Sequence, residues 1–60
     1  MKRFEVTTKS DTQVMVYDND FGYDALLNIT GDFGTVENAT AFGNAVAKVL
    51  NEKEQEIPRG

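Results

Sequence analysis

Three carboxylates crowd into seven residues, Asp18-Asn19-Asp20-Phe21-Gly22-Tyr23-Asp24, with a glycine among them. Oxygen ligands on a tight turn are what a calcium loop requires, so ion binding through the Asp18–Asp24 turn is the first chemistry the chain suggests. The spacing does not fit an EF-hand. Such a loop carries glycine at its sixth position and a bidentate glutamate at its twelfth, whereas here Gly22 stands fifth and Ile29 twelfth. Alternation along a strand that follows would also send Asp24 to the face opposite Tyr23. The plainer expectation is an acidic hairpin turn in which Asp18 and Asp20 cap backbone amides, exposed enough that burial has no hold on Asp18.

A second triplet, Asp32-Phe33-Gly34, spells the magnesium-binding motif of protein kinases, but no nucleotide loop, strand lysine or catalytic loop accompanies it. It reads instead as the break between a strand and a helix. Neither G-x-x-x-x-G-K nor G-x-G-x-x-G occurs, so no phosphate cradle is expected. The chain has no histidine and no cysteine, which leaves Ser10 and the threonines without a base to activate them and removes the commonest metal ligands. The expectation is therefore a non-enzyme with no catalytic residue, no cofactor and no resident metal.

Six basic and ten acidic residues give a net charge of −4 over 60 residues. Lys2, Arg3, Lys9, Lys48, Lys53 and Arg59 form no stripe, and binding to a phosphate backbone by counterion release is not expected. Mimicry of nucleic acid would need carboxylates in rows, and only the Asp18–Asp24 turn and Glu52, Glu54 and Glu56 are dense enough to suggest it. Met1-Lys2-Arg3-Phe4-Glu5 has no apolar run behind its basic pair, so neither a signal peptide nor a membrane anchor is expected, and the lack of cysteine agrees with a cytoplasmic protein. Asn28-Ile29-Thr30 and Asn38-Ala39-Thr40 match the glycosylation pattern and read as chance in that setting.

The elements that must carry these residues follow from periodicity. Phe4, Val6 and Thr8 alternate with polar neighbours, as do Val14 and Val16, which predicts a hairpin around Lys9-Ser10-Asp11 with Val6 facing Val14 and Phe4 facing Val16. A third strand starting near Tyr23 would pair Val16 with Ala25 and Val14 with Leu27. Thr35 then stands where a helix N-cap belongs, with Glu37 in the first turn, and an apolar stripe of Val36, Ala39, Phe42, Gly43, Val46, Val49 and Leu50 predicts a helix to about Glu52 lying over the sheet. The fold class is α+β: a three-stranded antiparallel meander with one C-terminal helix on one face (βββα), spanning 1–52, with 53–60 a frayed tail after the apolar period is lost.

So short a chain buries little surface and lacks the usual covalent and metal staples, which leaves oligomerisation. The sheet face away from the helix should carry Arg3, Glu5, Met15, Tyr17 and Leu26, with Met15 and Leu26 as cross-strand neighbours and Tyr17 beside them. An apolar cluster rimmed by polar groups is a contact surface, so these five residues are the expected interface of a homodimer or of a complex with another protein. In layout the chain resembles small proteins of enteric bacteria and their phages that set one helix on a short antiparallel sheet. In size and charge it is similar to compact acidic phage proteins that block host defence enzymes. Neither likeness transfers a function; the Met15, Tyr17 and Leu26 cluster and the lack of catalytic chemistry lead to the expectation of a regulator or inhibitor that works by protein binding.

Overall fold

The computed structural model describes residues 2–21 and 25–59. Strand β1, Phe4–Ser10, turns at Asp11 and Thr12 into β2, Gln13–Asp18, and β3, Ala25–Thr30, completes an antiparallel sheet in the order β1-β2-β3. Helix α1, Val36–Glu52, follows. The expected βββα arrangement is present.

The helix begins where its cap predicts. Thr35 is extended and its hydroxyl accepts from the Asn38 amide at 3.0 Å, satisfying one of the first-turn donors that have no partner within the helix. Gly34, at φ 87°, supplies the left-handed residue that turns the chain into that cap.

The strands differ from the expected pairing by two residues. Val6 faces Val16 and Thr8 faces Val14, with an irregularity between Thr8 and Ser10, and Val14 and Val16 face Ile29 and Leu27. A shift of two keeps every side chain on its face, because the strand period is two. Phe4, Val14 and Val16 consequently form the floor of the core, with Ala39, Gly43 and Ala47 of α1 pressed onto it.

The expected helix stripe is rotated. Ala39, Gly43 and Ala47 are buried, whereas Val36, Phe42 and Val49, read as core, are among the most exposed apolar residues. Close approach is the reason. A Cβ on Gly43 would lie 2.6 Å from Val14 Cγ2 and 2.8 Å from Val6 Cγ1, so the helix rests on its line of smallest side chains.

Candidate functional site

Arg3 overturns the reading that places it on the open sheet face. It precedes β1 and does not obey the strand's alternation, and it is 5% exposed, against 1% for Asp18. Its Nε lies 3.0 and 3.1 Å from the two Asp18 oxygens and one Nη is 2.8 Å from Oδ2. The remaining donors reach the carbonyl oxygens of Glu54 and Ile57, both at 3.0 Å, and Pro58 at 2.6 Å. All five guanidinium N–H groups are thereby used.

That arrangement also corrects the view of 53–60 as a frayed tail. Glu54–Glu56 form a turn of 3-10 helix, Ile57 packs against the core, and Arg59 pairs with Asp20 and, at 3.6 Å, with Glu54. Loss of apolar periodicity ended α1 but did not release the chain, because one buried guanidinium collects three of its carbonyls.

The carboxylate turn is correspondingly unsuited to a cation. Asp18 is interior rather than exposed, and the Arg3 hydrogen bonds hold its carboxyl below the usual carboxylate range against the opposing cost of burial. Its Oδ1 also accepts the Asp20 amide at 2.9 Å, which is the capping role expected of it. Asp24 lies outside the described residues, as does Tyr23. Among the described residues no group of three carboxylates is arranged to hold a metal ion.

On the sheet's open face, the expected pairing of Met15 with Leu26 is absent. Met15 faces Thr7 on one side and Asn28 on the other, not Leu26. A register irregularity between Val16 and Tyr17 leaves Leu26 without a partner in β2, while Tyr17 faces Glu5 and Ala25. Gln13 donates to Asn28 at 2.8 Å and Asn19 to Glu5 at 2.9 Å, so polar pairs run across this face. Met15, Tyr17 and Glu5 do share it, with Met15 and Tyr17 half-buried.

Apolar residues are also exposed on the helix side. Among the described residues α1 packs on β1 and β2 and scarcely reaches β3. Two side-chain contacts hold it toward β1: the Thr8 and Thr40 hydroxyls meet at 2.6 Å, and the Asn51 amide both accepts from the Phe4 N–H at 2.9 Å and donates to the Phe4 carbonyl at 3.1 Å. The inward face of β3 is left as a shelf, with Leu27 39% exposed and Ile29 half-buried. Beside it rises the flank of α1 bearing Phe42 at 48% and Val49 at 55% exposed, with the Phe42 ring fixed 5.3 Å from that of Phe33.

Leu27, Phe42 and Val49 were legible only as core residues. One signal could have exposed them: α1 carries just three charges, Glu37, Lys48 and Glu52, in 17 residues. A helix with one buried face normally shows more polarity on the other. Among the described residues no helix is long and apolar enough to cross a membrane. Two polar recesses of about 270 and 330 Å³ lie away from the shelf, the second formed around the Arg3 and Arg59 ion pairs. Comparison of the chain with protein-family models, curated proteins and solved structures finds no match.

Proposed function

We propose that this protein is a small non-enzymatic protein-binding module that self-associates as a homodimer and regulates or inhibits another protein by contact. The observation that carries the reading is the apolar surface made by Leu27, Phe42 and Val49 on the helix side of β3. Large contiguous apolar surface rimmed by polar groups serves contact between proteins in soluble domains. A chain without disulfides gains most from covering it, since its own core is small. The interface therefore moves from Met15, Tyr17, Leu26, Arg3 and Glu5 to the shelf beside α1.

Ion binding through the Asp18–Asp24 turn is not the reading favoured, because Arg3 already occupies both oxygens of Asp18. The test is molar mass by light scattering on a sizing column, from roughly micromolar to hundred-micromolar protein. A dimer is expected for the native chain and a folded monomer for Leu27→Asp combined with Val49→Asp. A native chain that stays monomeric throughout would end the proposal.

A further inference from the structure

The sheet has two outer edges, and the chain treats them differently. The Asn19 N–H donates to the Arg3 carbonyl at 2.8 Å and the Gly31 N–H to the Thr12 carbonyl at 3.0 Å, and these pairs continue the registers of β1 with β2 and of β2 with β3. In an antiparallel ladder, bonded pairs alternate with unbonded ones. Glu5 and Thr7 therefore bond to β2, while the backbone groups of Phe4, Val6 and Thr8 point outward from β1. On the other side Leu27 and Ile29 bond to β2, while those of Asn28 and Thr30 point outward from β3.

The β1 edge is guarded. The Asn51 carboxamide takes both outward groups of Phe4, as a neighbouring strand would, Thr40 of α1 holds the Thr8 hydroxyl, and Lys2 and Lys9 bring charge to either end. Covering helices and charged side chains, lysine above all, are the means by which proteins keep edge strands from pairing. The β3 edge lacks them. Among the described residues nothing bonds to the outward groups of Asn28 or Thr30, α1 scarcely reaches β3, and Ala25–Thr30 contains no charge and no proline. The irregularity beside Leu26 lies near the start of the strand and leaves Leu27 to Thr30 in regular register.

We propose that β3 of a second copy pairs with this edge, antiparallel about a two-fold axis that passes beside Asn28 perpendicular to the sheet, so that two three-stranded sheets become one of six strands. The inference rests on the self-association reading above and specifies how the copies meet. A row of outward N–H and C=O groups is a template for another strand. The order of residues in β3 selects a second copy, because Leu27 and Ile29 stand evenly about Asn28. An axis there lets Asn28 exchange both backbone bonds with its counterpart and sets Leu27 of each copy opposite Ile29 of the other, in the closer, unbonded pairs on the helix side. One strand meets itself, as a two-fold interface requires. It is also a strand free of charge in a chain of net charge −4, so the pairing sets no like charges against each other within β3. Both helices lie on the same side of the joined sheet, and since each packs over its own β1 and β2, the two β3 strands separate them. Leu27, part of the exposed surface that carries the self-association reading, is covered by Ile29 of the other copy.

Amide hydrogen exchange of the native chain, followed residue by residue by NMR at concentrations below and above association, tests the pairing. The expected result is an Asn28 amide that exchanges rapidly in dilute protein and slows by at least about tenfold in the dimer, while the outward Val6 amide of β1 exchanges alike in both. Asn28→Cys, its fold checked by circular dichroism, tests the axis. Position 28 is exposed and the chain has no other cysteine, so any link formed on oxidation is 28 to 28. The Cα atoms of a bonded antiparallel pair lie about 5.5 Å apart, within disulfide reach, and a covalent dimer is expected where the native chain is dimeric. Slowing at Val6 in place of Asn28 would show pairing through β1, and an Asn28 amide already slow in the monomer would show a closed β3 edge. Either result, a dimer in which neither amide slows, or an Asn28→Cys variant that does not link overturns this geometry while leaving self-association standing. A monomeric native chain overturns both.

Discussion

The two flanks of α1 were built by different forces. Toward β1 the helix is held by directed bonds: Thr40 to Thr8, Asn51 to both backbone groups of Phe4, and Arg3 to Asp18 and the chain beyond the helix. On its other flank Phe42 and Val49 stand exposed. Burial is non-directional and would be best served by a helix centred on the sheet. The hydrogen bonds decide its position because each buried polar group must find its partner at one place, whereas apolar surface can be covered by another chain.

The hardest blow to the closed flank is expected from Arg3→Met. It leaves Asp18 interior without a counter-charge and frees the carbonyls of Glu54, Ile57 and Pro58. Breaking one partner of a buried pair is severe, and thermal melts should show a drop in Tm on the order of 10 °C or more. The pair also fixes the acid response. Asp18 has a folded pKa below its unfolded one, so its contribution is whole above the ordinary carboxylate value and is lost as pH falls through the depressed folded value. Native stability should therefore fall below about pH 4, with a slope that Asp18→Asn reduces by about one proton. An unchanged slope in that variant would show that Asp18 does not anchor the flank.

A smaller loss is expected where the helix touches the sheet. Gly43→Ala gains helix propensity worth about 1 kcal/mol, but its methyl meets Val14 and Val6 well inside contact distance. Valine side chains are stiff, and overpacking of about 1–3 kcal/mol should win, for a net destabilisation of about 1 kcal/mol by urea unfolding. A more stable Gly43→Ala would mean that the helix can move outward, and the contrast between flanks would soften.

The least effect is expected on the sheet's open face. Met15→Thr places a strand-favouring residue between Thr7 and Asn28 and should change stability by no more than about 0.5 kcal/mol, with the molar mass untouched. A dimer lost by this change alone would return the interface to the open face.

Much of the architecture could be read from the residues in order. Thr35 and Glu37 announced the helix start, alternation assigned Phe4, Val6, Val14 and Val16 to one face, and the small residues at 39, 43 and 47 signalled a close helix. The site was less legible. Phe42 and Val49 fit an apolar stripe as well as Ala39 does, and only the clash at Gly43 decides which side of that stripe meets the sheet. Arg3 looked like one more alternating residue because its partners are Asp18 and carbonyls more than 50 positions away.

What the sequence determined by itself is local: strand faces, the helix cap, the lack of histidine and cysteine, and the net charge, all set by neighbours within a few residues. Tertiary structure alone decided where α1 rests across the sheet, and with that which apolar residues are covered. Those outcomes depend on long-range hydrogen bonds, an ion pair and one steric contact, whose partners meet only once the chain has folded.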